Sequence, residues 1–487
     1  MKAKVWLISW GMTVICILCM IGIVNYQIDP FFHYHKPNTE KYYFILDNER
    51  SQNDGIVKHF EYDALITGTS MTENFLTSEA DMLFGLHFVK VPFSGGSFKE
   101  VNGIVETALR YNPNIKMVIR GLDMGWTNFF EADAMRFDLG EYPTYLYDHN
   151  LFNDVKYLLN ASTVKRVVKM LYSTVQSNYK AGITEFDDYA RWQEGVGIRF
   201  GVKEVCKEGL EIKGADAQKV LTDEEKALMR KAVTQNVVSI AERYPSVEFY
   251  YFFPPYSIVS WNTYKEQGEI QKYVDAEQYM IELLVSHQNI HLFSFNNRFD
   301  IITDLNNYKD SAHYGSWINS LILKWMKETK YQLTENNYRD YIQDEYDFYS
   351  CYNYGEILDQ PDYEADLYAA ALLNEELTGA EPLFIDEHAD VVVDSTKFVT
   401  IIGKQNFFSL STEHDKGYNY CVFKAVSTEG DISEVIVTDV LGEELQHVEL
   451  IRDGEQHLYV IDFSRLVPEV EILFKQDKCF YSDIRLY

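Results

Sequence analysis

The sequence predicts an α/β protein with a three-layer architecture. A parallel sheet lies between helices, with a transmembrane helix ahead of it and a β-sandwich-like domain behind it. Three observations carry this. Val5–Val24 is an uncharged apolar run. Between residues 63 and 327 short strands alternate with amphipathic helices, the pattern of a parallel sheet covered on both faces. From about Val391 helical periodicity stops and short alternating strands follow, as in a sandwich.

The N-terminal run is VWLISWGMTVICILCMIGIV. At 1.5 Å per residue it spans ~30 Å, the hydrocarbon thickness of a bilayer. Lys2 and Lys4 precede it, so the positive-inside rule puts the body outside the cytoplasm. Asn25-Tyr26-Gln27 offers no small-residue cleavage site, which predicts an uncleaved signal anchor over residues 1–28. Asp29-Pro30-Phe31-Phe32 then reads as a rigid stretch with aromatics at headgroup level.

The α/β unit is expected over 29–335. Strands are read at Asp63–Gly68, Phe88–Val91, Lys116–Ile119, Val247–Phe253 and Ile290–Phe295. Helices are read at Val101–Tyr111, at Thr222–Arg243 behind a Thr-x-x-Glu capping box, near Tyr273–Ser286 and at Ser316–Lys327. A helical insertion interrupts the pattern near 150–220. Its stretch Asp154–Ser177 carries Lys156, Lys165, Arg166 and Lys169, a basic face suited to solvent, anionic lipid or a partner. Residues 336–390, rich in acid and Tyr, read as a linker, and 391–487 as the β-rich domain, a candidate carbohydrate-binding module.

Composition narrows the function. Lys plus Arg number 44 against 74 Asp plus Glu, a formal charge of −30. A nucleic-acid surface needs clustered cations to displace counterions, so nucleic acid is excluded as a partner. The 46% hydrophobic content excludes a disordered chain. Aromatics at 15%, including 36 Tyr, fit a protein that meets sugars. The six cysteines show no CxxC pair, and no His/Cys/Asp/Glu spacing suggests a metal, so no metal or cofactor is implied. Cys421 and Cys479 lie within one small domain and are a candidate disulfide.

Chemistry is expected at the carboxyl ends of the strands. Ser70 follows Gly68-Thr69 there. It has two readings: a nucleophile, or the cap of a Ser-x-x-Glu box with Glu73. His313 stands before the last helix, three residues after Asp310. A serine nucleophile needs a base, and the base needs a carboxylate to fix its tautomer. Asp-x-x-His on one loop supplies both.

Gly68-Thr69-Ser70, Ser94-Gly95-Gly96-Ser97, Gly121-Leu122-Asp123 and Asp310-x-x-His313 together resemble the four blocks of the SGNH (GDSL) hydrolases. The match departs in two places: Thr69 stands where the family usually has Asp, and no Asn is in register in the third block. The resemblance implies an SGNH-like fold with Ser70, His313 and Asp310 as a triad. It implies an oxyanion hole from the amides of Ser70 and Gly95 or Gly96, with Asn128 or the Thr127 hydroxyl as side-chain donor. Asp123, Pro255 and Tyr256 are expected to line the substrate cleft. The anchor, Asp-Pro-Phe and Phe253-Pro254-Pro255-Tyr256 resemble the SGNH-like proteins that accompany membrane-bound O-acyltransferases, as in alginate O-acetylation and lipoteichoic acid D-alanylation. That subgroup implies an acyltransferase or esterase acting on a cell-surface glycan, with such an O-acyltransferase as partner and acyl donor. The alternative is a non-catalytic glycan-binding or assembly protein with a decayed site.

Overall fold

The computed structural model describes residues 2–360 apart from 124–130, 140–141, 149, 176–180, 195–197 and 215–216, together with nine strands between 391 and 486. Among the described residues eight strands precede residue 360: β1 (Tyr43–Phe44), β2 (Ala64–Thr67), β3 (Phe88–Lys90), β4 (Met117–Gly121), β5 (Gly182–Ile183), β6 (Glu248–Phe253), β7 (Ile290–Ser294) and β8 (Gln332–Leu333). Six of them make the main sheet, in the order β3-β2-β4-β6-β7-β8. All neighbours are parallel except β8, which closes the edge antiparallel to β7. β2, β3 and β4 are buried along their whole length, as in a parallel sheet covered on both faces.

The chain leaves β2 for β3 on one side and returns across the sheet to β4. Right-handed crossovers then force the two connecting helices, Thr77–Phe84 and Phe98–Tyr111, onto opposite faces. Ser316–Lys327 packs with the first and Glu49–His59 with the second, completing three layers. The reversal between β2 and β4 is a topological switch point, where open α/β sheets place their chemistry.

Local signals explain where element boundaries fall. Phe98–Tyr111 starts three residues earlier than its apolar spacing suggests. Ser97 caps it, its hydroxyl accepting from the Glu100 N–H while Glu100 accepts from the Ser97 N–H. The predicted helix Asp154–Ser177 is two helices, Val155–Leu158 and Ala161–Val175. Asn160 breaks it by accepting the Ser162 N–H through its side chain, an N-cap bond at 2.8 Å.

Two expectations are corrected. Phe31 and Phe32 do not lie at headgroup level but are buried in the body. Asp29 fixes them there: its carboxylate accepts from the backbone N–H groups of His33, Tyr34 and His35 and from the Tyr157 hydroxyl at 2.7 Å. The first part of the expected linker, up to 360, belongs to the α/β unit. Tyr338–Cys351 is a helix whose Tyr349 stacks on Trp261 at 3.5 Å and donates to the Asn296 carbonyl. Acidic and Tyr-rich composition hid a helix whose aromatics point inward. The remainder, 361–390, lies outside the described residues.

That helix carries Glu345, fully buried beside Glu277. Burial pushes both carboxyls up, Glu277 to about 7. Groups raised this way favour the folded state at low pH, and that contribution is lost as pH rises from the ordinary 4.5 through about 7. Glu345→Gln should therefore flatten the fall in melting temperature between mildly acidic and mildly alkaline buffer. Equal slopes in wild type and variant would contradict it.

The C-terminal strands form two antiparallel sheets, one of five strands and one of four. They run from Val391–Asp394 to Cys479–Leu486. The pairing rules out the candidate disulfide. Cys479 stands opposite Ser427, and Cys421 opposite Leu486, six residues away along the same pair. At ~3.4 Å per residue that is about 20 Å, whereas a disulfide needs its Cα atoms within ~7 Å.

Candidate active site

Gly68 ends β2 with φ +148°, a conformation that side chains avoid. A Cβ there would also lie 2.7 Å from Thr72 Cγ2. The turn it permits leads into the short helical turn Ser70–Thr72. Thr69, not Ser70, is its cap: the Thr69 hydroxyl accepts the Met71 N–H. Glu73 closes the far end of that turn, its N–H on the Ser70 carbonyl. The Ser-x-x-Glu box is therefore not formed, and the Ser70 hydroxyl is left for another partner.

That partner is His313. Ser70 Oγ lies 2.8 Å from His313 Nε2. His313 Nδ1 lies 2.8 and 2.9 Å from the two oxygens of Asp310. The loop that brings them together is short and well anchored. Tyr308 and Tyr314 pair as an isolated bridge, and Lys309 N–H donates to the His313 carbonyl. Inside it, one Asp310 oxygen also accepts the N–H groups of Ala312 and His313. Burial works against ionisation of Asp310, but the hydrogen bond and charge of His313 and the two backbone N–H groups outweigh it. The carboxyl is held at about 2, so it is charged throughout the neutral range.

The segment after β6 supports this loop from below. The Pro255 carbonyl accepts from the buried Tyr308 hydroxyl, and the hydroxyls of Ser257 and Ser260 donate to the Ser311 carbonyl. Asp123, after β4, accepts from Thr69 Oγ1 at 2.7 Å and from the Tyr256 hydroxyl at 2.6 Å. Thus the three residues expected to line the cleft face inward. Asp123 and Tyr256 are buried against each other and tie the ends of β2, β4 and β6 together. Burial raises the Asp123 carboxyl, against the pull of these two bonds. Removing it in Asp123→Ala strands two buried hydroxyls, each worth about 1–3 kcal/mol. The melting temperature should fall markedly. A folded, equally stable variant with a raised KM would instead indicate substrate contact.

The oxyanion residues separate. Gly96 N–H donates to the Phe93 carbonyl at 2.7 Å, and a Cβ at Gly96 would lie 2.6 Å from Phe93 Cβ. This glycine serves a tight turn, and its amide is committed. Gly95, at φ +60°, offers an N–H that meets no acceptor among the described residues, as does Ser70. Its carbonyl accepts from Arg136. Thr127 and Asn128 lie outside the described residues.

One wall of the site was not assigned from sequence. Trp192, in the insertion, stands edge-on to the His313 ring at 5.8 Å and reaches the Ser70 carbonyl through its indole N–H at 3.4 Å. Lys309 Nζ sits 3.6 Å from the centre of the indole ring, and burial lowers its pKa. Gln193 fastens the same segment by accepting the Ser316 N–H. A Trp in a polar loop was the available signal; its partners are more than a hundred residues away.

No family model and no curated protein matches this chain. Among solved structures it is similar to a protein from Streptococcus pneumonia described as a candidate platelet activating factor, at 11% identity and a TM-score of 0.26. That match covers 60% of this chain and 90% of the other, and at such a score nothing further rests on it.

Proposed function

We propose that this chain is a membrane-anchored, extracytoplasmic acyl-transfer enzyme of the SGNH type. It moves an acyl group, acetyl above all, to or from hydroxyls of a cell-surface glycan. The observation that carries the reading is the continuous chain Ser70–His313–Asp310 at 2.8 Å and 2.8 Å. In this reading Ser70 Oγ attacks the acyl carbonyl and its proton passes to His313 Nε2. The bond to the leaving group breaks as His313 returns the proton to it. A sugar hydroxyl or water then attacks the acyl-serine and gives its proton to Nε2, which passes that proton to Ser70 Oγ as the acyl–oxygen bond breaks. Asp310 holds the tautomer and balances the imidazolium. The amides of Ser70 and Gly95 are the open donors for the oxyanion, with Asn128 the candidate third.

Among the described residues one helix, Ala3–Ile28, is long and apolar enough to cross a membrane, none of its apolar window being buried. It supports anchoring beside a membrane-bound O-acyltransferase as acyl donor. The two C-terminal sheets are assigned to a sandwich that holds the glycan. The committed Gly96 amide and Thr69 at the usual Asp position favour a second reading, a glycan-binding protein with a decayed site.

A fluorophosphonate probe on the full chain separates them. Labelling that maps to Ser70 and is lost in His313→Ala is the expected result. A folded protein that takes no label is the binding protein.

A further inference from the structure

The basic helices Val155–Leu158 and Ala161–Val175 lie beside the N-terminal apolar helix. From Val155 to Thr184 the chain carries Lys156, Lys165, Arg166, Lys169 and Lys180 and no acid, in a protein of charge −30. Its helices are amphipathic in an unusual way. Val167 and Met170 face the core, while Leu151, Phe152, Val155, Leu159, Val168 and Tyr172 are exposed, Phe152 at 94%. Val155 with Leu159, and Val168 with Tyr172, stand four residues apart and so share a helix side pairwise, and large apolar side chains exposed in such number mark a contact surface.

The anchor indicates what covers it. A Cβ on Gly22 would lie 3.8 Å from Leu159 Cδ2, and Asn25 Nδ2 donates to the Leu158 carbonyl at 2.7 Å. Gly22 belongs to the last turn of the apolar run, so Leu159 sits at the depth where hydrocarbon meets headgroups. The connection is stiff. Asn25 and Asp29 bond to Leu158 and Tyr157 respectively, and Phe31 stacks on Tyr157 at 5.5 Å. These contacts hold this face beside the end of the apolar helix.

Beside it opens a cleft of about 520 Å³, lined by Asn48, Asn160, Ser162, Lys165, Arg166 and Lys169 among others. Asp47 also lines it, paired with Arg166, which leaves the two lysines as its net positive charge.

We propose that residues 151–172 form a second membrane contact, with the exposed apolar side chains in the bilayer interface and an anionic phospholipid headgroup in this cleft. Apolar burial and lysine attraction act together in such interfacial helices. The inference rests on the anchor reading above. It implies that the serine site is held in a fixed orientation over the membrane.

Photo-crosslinking in the full chain tests both. Phe152→benzoylphenylalanine, in nanodiscs of mixed phosphatidylcholine and phosphatidylglycerol, should give an adduct of phospholipid mass, as should Trp10→benzoylphenylalanine. Exposed Met82, substituted the same way, should give none. The adduct at 152 should be enriched in phosphatidylglycerol over its share of the lipid, and Lys165→Glu with Lys169→Glu should remove that enrichment. Lipid at position 10 but not at 152, or a crosslinked protein at 152 in native membranes, overturns the second contact. Adducts without enrichment overturn the headgroup site. Absence of lipid at position 10 removes the anchor and this inference with it.

Discussion

Ser70→Ala and His313→Ala should each lower turnover of an activated acyl ester by at least ~10⁴-fold, with unchanged circular dichroism and melting temperature. Both side chains are partly exposed and neither is a packing element, so removing them leaves the fold intact. The double variant should be hardly worse than either single one, because the hydroxyl and the imidazole act as one unit. Near-full activity in either variant would end the acyl-transfer proposal. Loss of activity together with loss of fold would point instead to a structural role, which the exposure of Ser70 argues against.

The second large effect is expected at Asp310. Asp310→Asn keeps an oxygen for the N–H groups of Ala312 and His313, so the loop should survive. The variant amide can place an N–H where Nδ1–H now donates, which favours the tautomer that cannot accept the Ser70 proton. A fall of ~10²–10⁴ in kcat with little change in KM is expected. Because the Asp310 carboxyl is held at about 2, any acid limb in the wild-type pH–rate profile belongs to another group. The depressed value also means that its contribution to stability is present above the ordinary 3.8 and lost only as pH falls through about 2. An acid limb that moves in Asp310→Asn while kcat at neutral pH is unaffected would refute this assignment.

The two readings of Ser70 show what sequence could and could not decide. Ser-x-x-Glu is a capping pattern, and nothing in four residues reveals that Thr69 takes the cap instead. That outcome depends on the extended conformation of Thr69 (φ −95°, ψ −158°) and on Asp123, 54 residues away, which orients its hydroxyl. Asp123, Pro255 and Tyr256 were legible as residues at strand ends. Their inward orientation was not, because which side of a strand end faces solvent is set by the neighbouring strands.

By itself the sequence determined the long apolar N-terminal helix, the βα alternation and the placing of Ser70 and His313 at the sheet's carboxyl edge. Those follow from local periodicity and chain order, which the backbone obeys wherever it folds. Only the tertiary structure decided the 2.8 Å contact across 243 residues, the Trp192 wall, the inward turn of Phe31 and Phe32, and the helix Tyr338–Cys351. Each of these depends on which distant surfaces meet. Burying apolar area is non-directional and rewards many pairings, so the partner emerges only when the whole sheet is assembled.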